Sequence, residues 1–172
     1  VVESSSVLAE RRQAEVRIVE PDKPCVAEID PRRIERILRN LVVNAIEHSE
    51  GRPGVVKIDA SDEAVAVAVR DYGVGLKPGE STLVFGRFWR ADPARARTTG
   101  GTGLGLAISA EDAQLHHGWL QAWGEPGGTR SRAIEWKDET GATRYGGTID
   151  LRPGAAPSAG ELGFGLHPDA RG

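Results

Sequence analysis

Residues 30–49 read DPRRIERILRNLVVNAIEHS, and this stretch decides the fold because it predicts one long amphipathic helix. Asp30 is a favourable N-cap and Pro31 fits the first helical position, so the helix is predicted from Pro31 to about Ser49. Its apolar side chains recur at three- and four-residue spacing, which predicts a single stripe facing a core. They are Ile34, Ile37, Leu38, Leu41, Val42, Ala45 and Ile46.

Four polar residues of the same helix, Asn40, Asn44, Glu47 and His48, share one sector beside that stripe. Asparagine lowers helix propensity, so two asparagines within one helix need a reason. Their amide oxygens are neutral hard ligands, which suit a Mg²⁺ ion that also binds phosphate oxygens. Taken alone, an Asn-x3-Asn pair is more typical of a solvated helix face.

The flanking sequence predicts further helices and strands around this helix. Upstream are a helix over Ser4–Gln13 and two strands, Val16–Val19 and Val26–Ile29. Downstream are a hairpin of strands 55–60 and 64–70, a helix within Thr102–His117 and a strand over Trp119–Trp123. Residues 64–70 are apolar almost throughout, which predicts a strand buried on both faces.

Composition excludes several classes of protein. The 172 residues fit one domain or a domain with a tail, and the single cysteine, Cys25, excludes an internal disulfide framework and a cysteine-based zinc cluster. No apolar run approaches the ~18 residues of a membrane span, and the first residues lack the form of a signal peptide. A net charge of −3 argues against a basic nucleic-acid binder.

A glycine motif, Asp71-Tyr72-Gly73-Val74-Gly75, follows the predicted buried strand. In α/β architectures ligands gather at this place. The carboxylate can accept a hydrogen bond from an exocyclic amine, and the glycines let the backbone approach a flat ring closely. Alone, the motif is more typical of an ordinary turn.

A second glycine motif, GGTGLGL at residues 100–106, opens the next predicted helix. Free N–H groups and the positive end of the dipole make such a helix start a phosphate site. It is neither a P-loop nor a G-x-G-x-x-G fingerprint. Alone, it is as consistent with a flexible glycine hinge.

Between the two motifs lies a long loop, residues 77–101, that sustains no helical or strand period. Residues 77–100 carry five basic and two acidic side chains, a local net charge of +3, which predicts a bound anion. The segment VFGRFWR at 84–90 interleaves aromatics with arginines, yet the patch is too small to favour single-stranded nucleic acid. We expect a mobile cover in which Phe85 and Phe88 pack onto the body while Arg87 or Arg90 reaches a phosphate.

The order of these motifs is specific where each alone is weak. RILRNLVVNAIEHSE, VRDYGVGLKPGE, LVFGRFWRADPARARTTGGTGLGLAIS and GWLQAWGEPG together resemble the N, G1, F and G2 boxes of the sensor histidine kinase ATP-binding domain, within the Bergerat-fold ATPases. The resemblance covers about residues 1–125. It implies an α/β two-layer sandwich, a mixed sheet with helices on one face and a long flexible ATP lid over about residues 77–101.

The resemblance also implies Mg-ATP as the ligand and a role for each matching residue. Asn44 resembles the Mg²⁺ ligand, Asn40 its phosphate-side neighbour, and His48 a residue near the nucleotide. Arg90 aligns with a lid arginine that contacts the γ-phosphate, so Arg90 and Asn44 are the expected catalytic residues. Asp71 resembles the aspartate that binds the adenine amine. The other residues expected to bind the nucleotide are Gly73, Gly75, Phe88, Gly101, Thr102, Gly103, Leu104 and Gly105.

Two features depart from the family. Glu47 stands where many relatives carry a basic residue that contacts phosphate, which puts that contact in doubt. Relatives also finish soon after Gly124-Glu125-Pro126-Gly127 with one apolar strand, whereas residues 127–152 diverge. Here Gly147–Leu151 could substitute for that strand, and 132–137 could pair with 144–151. We therefore expect a catalytic domain over 1–152 and a poorly ordered tail over 153–172, where 12 of 20 residues are Gly, Pro or Ala.

The family's phosphate-accepting histidine lies in an upstream dimerisation domain, and none of His48, His116, His117 or His167 has its setting. The expected partners are therefore that dimerisation domain of the same kinase and a response regulator, with no nucleic acid. The resemblance implies a homodimeric, cytoplasmic catalytic portion of a membrane-anchored kinase. Two alternatives stay open: a nucleotide-gated binding module without transfer, and a related Bergerat protein such as an anti-sigma serine kinase, which the aromatic segment at 84–90 disfavours.

Overall fold

The computed structural model describes residues 1–21, 29–60, 65–90, 102–124, 129–132 and 159–166. Its helices are a 3-10 turn at Glu3–Ser5, α1 (Ser6–Arg11), α2 (Pro31–His48), α3 (Glu80–Leu83) and α4 (Gly105–Leu115). Its strands are β1 (Val16–Val19), β2 (Gly54–Ala60), β3 (Val65–Arg70), β4 (Leu120–Gly124), β5 (Thr129–Arg132) and β6 (Ala159–Leu166). None of the described helices is long and apolar enough to cross a membrane.

The central helix α2 forms as its sequence predicts. The Asp30 carboxylate accepts hydrogen bonds from the backbone N–H groups of Arg32 and Arg33, at 2.9 and 3.3 Å, and so caps the first turn. Ile37 and Leu41 in the middle of the apolar stripe are fully buried. Burying an aliphatic side chain of this size stabilises a fold by about 1.5–3 kcal/mol, so the stripe anchors the core.

Within the described residues the strands form one mixed sheet. β1 is parallel to β2, and β2 is antiparallel to β3 in a register that pairs Val55 with Arg70. β3 is buried along nearly its whole length, as its unbroken apolar sequence predicts. α2 packs against β2 and β3, while α4 packs against α2 and β4. The predicted α/β sandwich is therefore confirmed.

Two separate strands, β5 and β6, occupy the position in the sheet between β3 and β4. β6 pairs with residues 65–68 of β3 and 120–122 of β4. β5 pairs with Val69 and Arg70 of β3 and with residues 123–124 of β4. The middle of the sheet is thus completed partly by residues close to the C-terminus.

The expected tail over 153–172 does not hold at residues 159–166, which form β6. Leu162, Phe164 and Leu166 alternate with other residues, and this period-two pattern is typical of a strand. The prediction gave more weight to the high content of Gly, Ala and Pro and therefore missed the strand. The suggested strand at Gly147–Leu151 and the suggested pairing of 132–137 with 144–151 lie outside the described residues, apart from Arg132. The same holds for most of the predicted strand Val26–Ile29.

Candidate functional site

The fold brings the C-terminal half of α2 between the two glycine motifs. Asn40, Asn44, Glu47 and His48 are all half-buried, as a sector at the border of the apolar stripe should be. The first glycine motif directly follows β3 and contacts the end of α2. The second leads into α4, which packs along α2. Both predicted glycine motifs thus lie against the helix that carries the polar residues.

The first glycine motif is held by backbone packing. Asp71 is buried, and its Oδ1 accepts a hydrogen bond from the Gly73 N–H at 3.0 Å. A Cβ atom added at Gly73 would collide with the carbonyl oxygen of His48, the last residue of α2. Gly75 has a φ of +70°, which favours glycine. The motif therefore needs its glycines for close packing and for backbone conformation.

A second contact fixes the same motif from the loop after α2. The Arg52 guanidinium donates to the Tyr72 carbonyl oxygen at 2.7 Å. The Arg70 guanidinium lies 4.7 Å from the centroid of the Tyr72 ring, a cation–π distance. Tyr72, directly before Gly73, is therefore held through its carbonyl oxygen and its ring.

The second glycine motif is held by different contacts. The Phe88 N–H donates to the Gly103 carbonyl oxygen at 3.0 Å, so the aromatic segment and the second motif meet. Gly103 has a φ of +71°, and a Cβ atom there would lie 3.0 Å from the Phe88 Cα. Thr102 is exposed, Leu104 and Gly105 are half-buried, and Gly101 lies outside the described residues.

Asn40 joins α2 to the start of α4. Its Nδ2 donates to the Gly105 carbonyl oxygen at 2.9 Å and to the Ser109 Oγ at 3.0 Å. Gly105 is close enough that an added Cβ would lie 3.3 Å from the Asn40 Cγ. Asn40 is thus engaged with the helix that the second glycine motif opens.

The expectation that both phenylalanines pack onto the body holds for only one of them. Phe85 packs against the core, but Phe88 is 71% exposed and has a φ of +64°. The left-handed conformation at Phe88 turns the backbone toward Gly103 and leaves the ring in solvent. Arg87 forms an ion pair with Glu111 of α4 at 2.7 Å. Arg90 is half-buried, and residues 91–101 of the expected lid lie outside the described residues.

Glu47, the residue that departs from the family, carries an unusual pKa. Burial raises the pKa of its carboxyl group, while the positive charges of Arg12 and Arg90 act to lower it. The charge of Arg90 is therefore felt at the same helix sector as Asn44. A carboxylate here attracts the arginine that the resemblance assigns to the γ-phosphate.

A polar cluster on α4 was not predicted from the sequence. The Asp112 carboxylate is 3% exposed and pairs with Arg36 at 2.7 Å and Arg33 at 2.9 Å, both on α2. The hydrogen bond from Arg36 is the main cause that lowers the Asp112 pKa, and burial opposes it. His116 receives the Asp30 N–H at its Nε2, 3.1 Å away. α4 is thus tied to the capped end of α2.

The signal for this cluster was the spacing of small and polar residues on α4. Gly105, Ser109, Asp112 and His116 recur at four-, three- and four-residue steps, the spacing of one helix face. The last three are buried, whereas Ile108 and Leu115, two of the apolar residues of this helix, are 36% and 63% exposed. Because the residues on the buried face of α4 are polar, that face was not identified as buried from the sequence.

The donor set fits a cation that relies on a bound ligand more than on protein side chains. No group of three or more His, Cys, Asp or Glu side chains that could hold a metal occurs in the part of the chain that the structure describes. The half-buried oxygen donors of Asn40 and Asn44 are neutral and hard. Mg²⁺ typically takes one or two protein oxygens, several waters and phosphate oxygens, so these residues fit it.

Comparisons with known proteins agree with this arrangement. The model of the family described as histidine kinase-, DNA gyrase B-, and HSP90-like ATPase matches residues 29–140. The sensor histidine kinase MtrB of Mycolicibacterium paratuberculosis is 61% identical over 120 residues, which cover 70% of this chain and 21% of that protein. The amino-acid sequences of the motifs at 36–50 and 83–109 also look most like those of the actinobacterial MtrB. The 61% sequence identity confirms this resemblance. The chain spans about a fifth of the length of the curated relatives it matches.

Solved structures share the fold. Full-length ShkA in complex with AMPPNP has a TM-score of 0.66 at 23% identity, covering 95% of this chain and 27% of that chain. The mycobacterial sensor histidine kinase MprB has a TM-score of 0.64 at 24% identity, covering 96% of this chain and 90% of that chain. At such identities the likeness speaks to the fold alone.

Proposed function

We propose, from the premise that this chain belongs to the histidine kinase-, DNA gyrase B-, and HSP90-like ATPases, that it binds Mg-ATP and donates the γ-phosphate to a histidine. The acceptor histidine lies on the dimerisation domain of the same kinase, outside this chain. One observation carries the proposal: α2 contacts both glycine motifs, through His48 at Gly73 and through Asn40 at Gly105. A base pocket and a phosphate pocket on one helix match an extended nucleotide.

The first motif is suited to recognise adenine. The buried Asp71 carboxylate can accept a hydrogen bond from the 6-amino group, whereas guanine presents an acceptor oxygen at that position. Binding GTP would leave the carboxylate unpaired with the base, at a cost of about 1–3 kcal/mol. Gly73 and Gly75 shape the pocket around the base, and His48 and Phe88 border the nucleotide. ATP is therefore the favoured nucleotide.

The second motif is suited to hold phosphates. The first N–H groups of α4 and the dipole of that helix favour negative charge beside residues 101–105. Asn44 would bind the Mg²⁺ ion, which neutralises charge on the phosphates when bound, and Asn40 would act beside it. Arg90 would approach the γ-phosphate as transfer proceeds. Positioning and charge neutralisation are sufficient for phosphoryl transfer, so no strong general base is needed in this domain.

The proposal extends to the setting of the whole kinase. The family resemblance implies a homodimeric kinase that is anchored in a membrane, with this domain in the cytoplasm and a response regulator downstream, and the similarity to the sensor histidine kinase MtrB supports a sensor kinase. Nucleic acid is not an expected partner.

The binding part is tested by titrating the chain with ATP and GTP, with and without Mg²⁺, in a calorimeter. We expect ATP to bind more tightly than GTP and Mg²⁺ to tighten ATP binding. Asp71→Asn should weaken ATP binding by about 1–3 kcal/mol. Asp59→Asn on the neighbouring strand β2 is the matched control and should bind like the wild type. Equal affinities for ATP and GTP would show that Asp71 does not read the base.

Asn44→Ala tests the proposed metal ligand separately. It should abolish the Mg²⁺ dependence of ATP affinity while the chain stays folded, because alanine is favourable in a helix. If Mg²⁺ still tightens ATP binding to this variant, Asn44 is not the ligand.

The transfer part is tested by supplying the dimerisation fragment of the same kinase in trans with labelled ATP. The fragment should become labelled slowly, because the covalent linkage that raises its local concentration is absent. Arg90→Ala should reduce the transfer rate more than ATP affinity, since a lid arginine acts mainly on the transition state. Arg87→Ala, which removes an exposed ion pair with Glu111, is the control. ATP binding without any labelling would favour the binding module instead.

A further inference from the structure

The amide of Asn40 has a fixed orientation because its nitrogen faces two hydrogen-bond acceptors on α4. Its Nδ2 lies 2.9 Å from the Gly105 carbonyl oxygen and 3.0 Å from the Ser109 Oγ. A carbonyl oxygen only accepts hydrogen bonds, so the atom that faces Gly105 has to be the nitrogen. The Ser109 hydroxyl gives its own hydrogen to the Gly105 carbonyl, at 2.9 Å, and therefore accepts from Asn40. These hydrogen bonds are therefore consistent only when the Asn40 nitrogen, and not its oxygen, faces α4.

This orientation limits what Asn40 can offer to a ligand. The amide nitrogen is turned to its acceptors on α4, so Oδ1 is the atom that the side chain offers to a ligand. Phosphate oxygens are acceptors at neutral pH, and two acceptors do not form a hydrogen bond. Oδ1 can, however, bind a divalent cation or accept a hydrogen bond from water bound to that cation. Asn40 in this state is therefore complementary to the cation and not to the phosphate.

Ser109 is the residue that completes this arrangement. It lies one turn into α4 and is fully buried beneath Asn40, so it does not contact a ligand itself. Without its hydroxyl, one Asn40 hydrogen would lose its partner. Only the Gly105 carbonyl would then hold the nitrogen toward α4, so the amide would turn more readily and present nitrogen, whose hydrogens repel a cation.

We propose that Ser109 is a positioning residue for the divalent cation: through its hydrogen bond it holds Asn40 with the amide oxygen available to Mg²⁺ or to its bound water. The inference rests on the proposed Mg-ATP function and deepens it. It also assigns Asn40 to the cation, where the family resemblance places it beside the phosphates.

The test compares Ser109→Ala with Ser5→Ala in calorimetric titrations of ATP, with Mg²⁺ and with EDTA. Ser5 is a buried serine whose hydroxyl donates to the Val1 carbonyl at 3.0 Å, so its variant matches the loss of a buried hydroxyl away from α4. We expect Ser109→Ala to reduce the Mg²⁺-dependent gain in ATP affinity by about fivefold, the scale of one net hydrogen bond. Affinity in EDTA should stay unchanged. Ser5→Ala should behave like the wild type under both conditions.

Ser109→Cys keeps the volume of the side chain but replaces the hydroxyl with a poor hydrogen-bonding thiol. It should lose the Mg²⁺-dependent gain as Ser109→Ala does. A wild-type response from the Cys variant would show that packing matters and that the hydrogen bond does not, which overturns the inference.

A measurement without nucleotide or metal gives an independent readout. In ¹⁵N-labelled wild-type protein, at least one of the two side-chain amide hydrogens of Asn40 should exchange slowly with solvent, and in the Ser109 variants that hydrogen should exchange faster. Fast exchange of both in the wild type would overturn the inference. If wild-type ATP affinity does not respond to Mg²⁺, the proposed function itself fails. If the wild type responds and Ser109→Ala matches Ser5→Ala, only the role of Ser109 fails.

Discussion

The two glycine motifs contact the same helix in different ways. At the first motif, Gly73 lies directly against the His48 backbone carbonyl, and backbone cannot move aside without disturbing α2. At the second, Gly105 lies against the end of the Asn40 side chain, which can shift by a few tenths of an ångström without moving the backbone of α2. The first motif is therefore a rigid wall and the second an adjustable one.

This difference suits the two ends of a nucleotide. A base is a flat group of constant shape, and selecting it by one carboxylate requires fixed geometry. Phosphates change charge and length when the γ-phosphate leaves, so the residues around them have to adjust, and Phe88, within the expected lid over about residues 77–101, bonds to Gly103 of the second motif. We expect substitutions at the first motif to cost stability and those at the second to alter ligand binding first.

The largest effect is expected from removing residues 159–172, which contain β6. This strand pairs with β3, the strand that positions the first motif, and with β4. The sequence alone predicts a change in melting temperature near zero for a cut at Pro153. The structure instead predicts a fall of more than about 10 °C, because at this size 1 kcal/mol corresponds to roughly 2–4 °C and several strand contacts are lost. A variant ending at Leu166 is the control, and an unchanged melting temperature for both would show that β6 does not stabilise the sheet.

Gly73→Ala should cost about 3 kcal/mol or more in the free energy of unfolding, since its Cβ would collide with the backbone of α2. Gly79→Ala is the matched control. Gly79 has a φ of +84° but nothing within 4 Å of an added Cβ, so only the conformational cost of about 1–2 kcal/mol applies. Urea unfolding measures both variants, and equal losses would mean that the first motif is not rigid.

Much of this comparison could be predicted from the sequence. The N-cap at Asp30 and the apolar stripe predicted α2, and the order of the motifs predicted the fold through its resemblance to a known family. These signals are local or depend on residue order. Close approach of Gly73 to His48 depends on how β3 meets α2, which no local pattern records.

Three features escaped prediction for identifiable reasons. β6 was masked by its high content of Gly and Ala. The buried face of α4 includes Ser109 and Asp112, whose polarity is normally typical of exposed positions. The exposure of Phe88 follows from a left-handed backbone that aromatic residues rarely adopt, so its chemistry predicted the opposite.

Gly103→Ala is expected to lower the free energy of unfolding by about 2 kcal/mol, which lies between the effects of Gly73→Ala and Gly105→Ala. Its φ of +71° adds strain of about 1–2 kcal/mol, and the Phe88 backbone lies 3.0 Å from the added Cβ. Because Phe88 belongs to a loop, it can shift, so the hydrogen bond to Gly103 should weaken. Urea unfolding and ATP titration together measure this. A loss no greater than that of Gly79→Ala would show that Phe88 adjusts freely.

Asp112→Asn should loosen α4 from α2 without touching the first motif, at about 1–2 kcal/mol near pH 7. The lowered pKa of Asp112 means that its carboxylate stabilises the fold above the ordinary aspartate range, and that this contribution is lost as pH falls through the lowered pKa. The stabilities of variant and wild type should therefore converge in acid. Glu111→Gln removes an exposed ion pair and should cost at most about 0.5 kcal/mol. A pH-independent difference would mean that Asp112 acts through shape and not through charge.

The smallest effect on stability is expected for Gly105→Ala, and it is the sharpest test of the comparison. The added Cβ would lie 3.3 Å from the Asn40 Cγ and Oδ1, so the side chain has to move by a few tenths of an ångström. Replacing glycine at the start of a helix gains about 0.5–1 kcal/mol of propensity, which offsets that contact. The free energy of unfolding should therefore change by less than about 0.5 kcal/mol, while the displaced Asn40 amide lowers the Mg²⁺-dependent part of ATP affinity. If Gly105→Ala instead destabilises the chain as strongly as Gly73→Ala, then the Asn40 side chain cannot move aside and the second motif is as rigid as the first. The distinction between a fixed base pocket and an adjustable phosphate pocket would then be lost.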